Sequence, residues 1–177
     1  VNVSPIELHH PKTAERILRN IQSSGVDPSQ IEVEITESSV LNNFDMARQI
    51  LGELQRANVQ VALDDFGTAY SSLNLLLEIP VDVIKIDRSF IIDIQDAPNN
   101  KAVVRAIVQM CRSMGKRILA EGVEHSRERD CLAELGCYEI LGYLYAKPMA
   151  ADELVEFLKS HPPVDRPLLG DRVVNFA

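Results

Sequence analysis

The strongest restriction on how this chain can fold is a hydrophobic period that switches repeatedly along its length. Segments with apolar residues at every second position alternate with segments apolar at i, i+3, i+4 and i+7. Val1 to Val3 is a short β-like run, after which Ala14, Ile17, Leu18 and Ile21 share one face of a predicted helix that Gly25 stops. Ile31, Val33 and Ile35 alternate as a strand, and Ala47, Ile50, Leu51 and Leu54 return to the helical spacing. Val59, Val61 and Leu63 predict the next strand, followed by a short helix over Ser71 to Glu78 that Pro80 ends. Val83 to Ile86 is a strand, and Val103, Val104, Ile107, Val108 and Cys111 mark a helix closed by Gly115. Ile118 to Ala120 is a strand, with a helix through Cys131, Leu132 and Leu135 closed by Gly136. Tyr138 to Leu141 is a strand, and Leu154, Val155 and Leu158 mark a last helix.

Six strand–helix units in strict alternation imply a parallel sheet with crossover helices. A full eight-unit β/α barrel takes roughly 250 residues, so six units in 177 residues predict an α/β chain of TIM-type barrel architecture that is incomplete. There is no GxGxxG and no P-loop lysine, so a doubly wound nucleotide fold gains nothing. The expected domain covers residues 1–161, and the Pro-rich segment 162–177 is expected to be an extended tail. An unclosed barrel leaves sheet edges and core exposed, so residues 1–177 alone are expected to be poorly stable without a covering partner.

Composition narrows the chemistry. A net charge of -8 argues against a polymeric nucleic acid partner, which needs clustered Lys and Arg. The three cysteines form no CxxC pair and read as reduced core residues. No apolar run approaches the roughly 20 residues of a membrane span, and Val1-Asn2-Val3-Ser4 reads like mid-strand sequence with no leader features. A cytoplasmic domain cut from something longer is expected, with any membrane anchor carried upstream.

Polar residues recur where strands end. Asn2 lies in the first strand, Glu34 and Glu37 end the second, Asp64 and Asp65 the third, Lys85 and Asp87 the fourth, and Glu121 and Glu124 the fifth. In a β/α barrel that rim carries the chemistry. A strand-end acid is often only a helix cap, and Asp87-Arg88 offers a local ion pair, but recurrence over successive strands exceeds what capping explains. The carboxylates repel one another and lose hydration unless a cation offsets them. Apart from Lys85 the ligand candidates are oxygen donors, which suits Mg²⁺ or Mn²⁺ better than Zn²⁺. Neighbours in a strand face opposite ways, so Asp64 and Asp65 reach one site only if the chain bends, and Phe66-Gly67-Thr68 is the expected bend. Two carboxylates there could bridge two metals, an arrangement suited to phosphodiester hydrolysis.

At these residues the chain resembles the EAL family of bacterial cyclic-di-GMP phosphodiesterases. The matching segments are Asn2-Val3-Ser4, Glu34-Ile35-Thr36-Glu37, Asp64 to Leu73, Lys85-Ile86-Asp87, Glu121-Gly122-Val123-Glu124 and Gly142 to Pro148, in family order. The resemblance implies a β/α barrel that hydrolyses cyclic-di-GMP to linear pGpG with two Mg²⁺ or Mn²⁺ ions. It implies Asn2, Glu34 and Asp64 as ligands of the first metal, and Asp64, Asp65 and Glu121 at the second. It places Lys85 on the attacking water, Glu37 in support of the loop after Asp65, and Glu124 in support of the site by hydrogen bonding. It also implies a homodimer and an upstream sensor or GGDEF (diguanylate cyclase) domain.

Three departures stand out. The naming Glu-Ala-Leu is absent with the first quarter of the domain, Leu141 stands where the family has Gln, and Ala69 where it has Gly. The first two favour an alternative, a catalytically degenerate receptor or interaction module. The retained carboxylates and Lys85 favour an enzyme in the parent protein, with the 177-residue piece itself inactive.

Overall fold

A computed structural model of the chain describes residues 1–67 and 73–161, the side chains of 73–75 excepted. The helices are α1 (Pro5–Leu8), α2 (Thr13–Ser24), α3 (Glu37–Leu41), α4 (Phe44–Arg56), α5 (Leu73–Glu78), α6 (Pro98–Ser113), α7 (Ser126–Leu135) and α8 (Ala151–Ser160). The strands are β1 (Glu32–Thr36), β2 (Gln60–Phe66), β3 (Val83–Ile86), β4 (Arg117–Glu121) and β5 (Glu139–Leu141), in the order β1-β2-β3-β4-β5. The α/β class and the parallel pairing are as expected. The sixth strand is not: Val1 to Val3 contributes one isolated bridge, Asn2 to Glu34, with Val3 N–H on the Glu34 carbonyl at 2.9 Å. Pro5 follows too soon for a longer ladder, because it starts α1.

The chain divides into two compact units, one of Val1–Asp87 with Gln109–Ile118, the other of Arg88–Val108 with the chain from Leu119 onward. In the first, Val33, Ile35, Val61, Leu63, Ile84 and Ile86 form the buried sheet layer, and α4 covers it with Ala47, Ile50, Leu51 and Leu54, the four residues its spacing singled out. In the second, Val104, Val108, Ala120, Cys131, Leu132 and Ile140 are buried. All three cysteines are free and buried. Burial of Cys111 pushes its thiol up to about 11, which keeps it an unreactive apolar residue at neutral pH. Gly25 and Gly136 end α2 and α7 in the left-handed conformation that only glycine adopts without penalty. Among the described residues no helix is long and apolar enough to cross a membrane. The tail from residue 162 lies outside the described residues.

Helix α1 was not legible as a helix, yet it fixes the end of the Asn2–Val3 segment. Ser4 caps it, and the Glu7 carboxylate returns to the Ser4 N–H at 3.1 Å and hydroxyl at 2.8 Å. Arg16 donates to the other oxygen of Glu7. Those bonds, Arg16 first and Ser4 next, hold the Glu7 carboxyl down to about 2 from its ordinary 4.5. Because the folded value is the lower one, the stabilisation is complete above about 4.5 and is lost as pH falls towards 2. The stability difference between wild type and Glu7→Gln in urea melts should therefore be present at neutral pH, shrink towards pH 2, and weaken in high salt because the group is exposed. A difference that does not change with pH would contradict this reading.

Candidate active site

The first unit builds its part of the site from three adjacent strands. Glu34 lies in β1, opposite the Asn2 bridge. Between β2 and β3 the register runs Leu63 to Ile84 and then Phe66 to Ile86. Two residues, Asp64 and Asp65, therefore face one, Lys85. This is a β-bulge, uncommon in a parallel pair and typically found where a side chain must be re-aimed. Asp65 completes it with φ of 54°, a left-handed conformation that Asp tolerates better than most residues. Its N–H turns back onto Asp64 Oδ1 at 3.0 Å. The ladder is thus already broken inside the Asp pair; of the bend expected at Phe66-Gly67-Thr68, Gly67 turns with φ of 99°, and Thr68 lies outside the described residues. Phe66 continues the strand and is buried, because its apolar ring has to stay in the core.

Lys85 occupies the centre of this arrangement. It is 5% exposed in a strand whose every residue is buried. Its ammonium lies 3.0 Å from Glu34 Oε1 and 3.4 Å from Asp64 Oδ1. A buried lysine is tolerable only with such partners. The electrostatic balance at Asp65 is different. Burial, then the charge of Asp64, then that of Asp87, raise its carboxyl above the ordinary carboxylate range, with Lys85 opposing them. Its ionised form therefore carries unfavourable energy that a cation would remove.

Glu37 begins α3 instead of ending β1 and is buried at 1% exposure. Its expected support of the loop after Asp65 concerns residues 68–72, which lie outside the described residues, as does Ala69.

The second unit holds Glu121 and Glu124. Glu121 is the last residue of β4 and is in register with Leu141 of β5. Register partners share a sheet face, so Leu141 places an apolar group beside the Glu121 carboxylate. The turn that follows is clamped from two sides. Val123 N–H donates to the Leu141 carbonyl at 3.1 Å, and Leu144 N–H to the Val123 carbonyl at 3.0 Å. Glu128 Oε2 accepts from the N–H groups of Glu124 and His125, both at 2.9 Å, and Oε1 from Asp93 N–H at 3.2 Å. Burial alone would push the Glu128 carboxyl up, but the three backbone donors outweigh it and hold it below its ordinary value. Glu124 Oε1 pairs with Arg88 Nη2 at 2.7 Å. Sequence reasoning missed Glu128 and Arg88 as supports. The spacing His125-x-x-Glu128 is that of a capping box, but His at the cap position hides it.

Among the described residues no three His, Cys, Asp or Glu side chains gather closely enough to hold a metal by themselves. The cation shared by Glu34 and Asp64 here is the Lys85 ammonium. The donor chemistry still fits a hard divalent ion: oxygen ligands only, with an Asp65 carboxylate that burial first, and the neighbouring acids next, make costly to ionise.

Comparison with known proteins agrees with this reading of the fold. The EAL domain family profile matches residues 1–148, and the chain belongs to that family. The cyclic di-GMP phosphodiesterase PdeR of Escherichia coli is 37% identical over 151 residues, 85% of this chain and 23% of PdeR. MucR of Pseudomonas aeruginosa, a bifunctional diguanylate cyclase/cyclic di-GMP phosphodiesterase, is 35% identical over 155 residues, 88% of this chain and 23% of MucR. The PaMucR phosphodiesterase in complex with c-di-GMP superposes with a TM-score of 0.82 at 35% identity, over 87% of this chain and 62% of that one. The calcium/cy-diGMP complex of Klebsiella pneumoniae BlrP1 gives a TM-score of 0.78 at 34% identity, over 83% of this chain and 38% of BlrP1. The α/β architecture is thus that of an EAL-type β/α barrel, present in part. The chain spans about a fifth to a quarter of the length of these curated relatives.

Proposed function

We propose that the protein carrying this chain is a metal-dependent phosphodiesterase that hydrolyses cyclic-di-GMP to linear pGpG. The observation that carries the reading is the bulge of β2, which sets Asp64 and Asp65 against Lys85, with Glu34 on the same ammonium. A strand pays for such a charged cluster in stability, and metal-assisted phosphodiester chemistry is what it equips the strand to do. The family and the names of its relatives supply the substrate class.

Asn2, Glu34 and Asp64 would hold one Mg²⁺ or Mn²⁺, and Asp64, Asp65 and Glu121 a second. Bound there, the ions supply Lewis acidity towards the phosphodiester and lower the pKa of an attacking water. Lys85 orients that water and offsets negative charge as the reaction proceeds. Glu34 and Asp64 keep its ammonium in place. Glu37 steadies the loop after Asp65, and Glu124 lines the site as a hydrogen-bonding group. An upstream sensor or cyclase domain and a homodimeric assembly complete the proposed parent protein.

One observation favours a second reading, a receptor that binds the dinucleotide without turnover. Leu141 stands in register with Glu121 and can neither donate nor accept a hydrogen bond there. The two readings separate on metal removal. The full-length protein with Mg²⁺ or Mn²⁺ should release pGpG, and a chelator should abolish release until the ion is restored. Binding of cyclic-di-GMP without pGpG would leave the receptor, and chelator-resistant release would contradict the metal requirement.

A further inference from the structure

The Glu121–Glu124 turn has its backbone fixed by Glu128 and by the Leu141–Leu144 segment, but neither holds the Glu124 side chain. Arg88 does. It opens the 3₁₀ turn Arg88–Phe90, three residues after Lys85 in sequence. Its guanidinium pairs with Glu124 Oε1 at 2.7 Å. Its aliphatic stem lies flat on Gly122: a Cβ there would sit 2.4 Å from Arg88 Cγ and 2.7 Å from both Cβ and Cδ. Gly122 has φ of 71°, so the turn both requires glycine and leaves the opening that the stem fills. A surface arginine with one exposed ion pair contributes little. This one is held at both ends of its side chain, which leaves little rotamer freedom to lose when it orients its partner.

We propose that Arg88 is a positioning residue for ligand binding, acting through Glu124. The proposal rests on the phosphodiesterase or receptor reading above, because both need the dinucleotide bound. The ligand carries two phosphates. A Glu124 carboxylate released from Arg88 is free to swing and adds an uncompensated negative charge to a turn that already carries Glu121. Arg88 sets the carboxylate as a directed acceptor and cancels its charge. Loss of Arg88 therefore weakens binding more than it slows the chemical step.

The test uses the full-length protein and cyclic-di-GMP, with Ca²⁺ for binding and Mn²⁺ for turnover. Arg88→Met keeps the stem over Gly122 and removes the charge. It should bind about tenfold more weakly, raise KM in parallel, change kcat little, and melt as wild type does. Arg88→Lys should recover part of the loss, since it keeps the charge without the planar fork. In a Glu124→Gln background, Arg88→Met should add no further loss, because the partner is gone. Wild-type affinity for Arg88→Met, or losses that multiply in the double variant, overturns the proposal alone. A wild-type protein that neither binds nor hydrolyses cyclic-di-GMP overturns the functional reading and this proposal together.

Discussion

Replacing Lys85 with methionine is expected to lower cyclic-di-GMP turnover by about two orders of magnitude or more, the range for a lost proton-handling or charge-stabilising group. The variant is also expected to be less stable without metal. Methionine keeps most of the volume in a strand where every residue is buried, so the change isolates the charge. What it leaves behind is Glu34 and Asp64, both previously on the ammonium at 3.0 and 3.4 Å. Breaking a fully buried pair costs about 3–5 kcal/mol. These carboxylates keep 22% and 18% of their side-chain surface in contact with solvent, so a smaller loss of about 1–3 kcal/mol is expected after screening. Added Mn²⁺ should restore the melting temperature without restoring turnover, since an ion can replace the charge but not the positioned amine. A variant that melts like wild type in the absence of metal would show that the ammonium does not hold these carboxylates.

The second large effect is expected far from any charge. Gly142→Ala should destabilise the protein by about 3 kcal/mol or more, through overpacking that cannot relax. A Cβ at position 142 would lie 2.1 Å from the Val123 carbonyl oxygen, 2.4 Å from its nitrogen and 2.7 Å from its carbonyl carbon. All three are backbone atoms, and the segment is tied on both sides by hydrogen bonds to Leu141 and Leu144. No rotamer change can relieve the contact. The contrast with Gly122→Ala is instructive. There the obstructing atoms are Arg88 Cγ at 2.4 Å and its Cβ and Cδ at 2.7 Å; Cγ and Cδ can swing aside only by giving up the Glu124 pair, Cβ moves only with its own backbone, and the left-handed conformation at 122 adds about 1–2 kcal/mol. Urea melts of the two variants should rank them in that order. Turnover should fall in both, since Glu121 and Glu124 flank the displaced turn. Equal stability of Gly142→Ala and wild type would show that the two segments separate easily in solution.

Much of this was legible in the sequence because it depends on local period and local conformation. The helix faces at Ala47, Ile50, Leu51 and Leu54 and the stops at Gly25 and Gly136 depend on residues a few positions apart. The strand-end acids stood out because charge in a buried parallel strand is costly. What remained hidden depends on pairing between distant segments. The Asp64–Asp65 bulge is a property of the β2–β3 register, and nothing in Asp-Asp-Phe-Gly says which residue leaves the ladder. Arg88 has Asp87 as its chain neighbour, but it pairs with Glu124, thirty-six positions on. Short α1 and α3 follow strand ends directly and have too few residues for a helical period to show. The Val1–Val3 run makes one bridge and no strand, because an alternating pattern does not encode how soon a helix-starting proline cuts it off.

The most direct measurement is the rate of pGpG release from cyclic-di-GMP by the full-length protein with Mn²⁺, beside an Asp64→Asn variant of the same protein. Asparagine keeps the shape of Asp64 and removes the charge that faces Lys85 and any bound ion. Release by wild type that falls at least a hundredfold in Asp64→Asn, with the melting temperature kept, is the predicted result. Equal rates in the two proteins would contradict the assignment of this carboxylate cluster as the catalytic site.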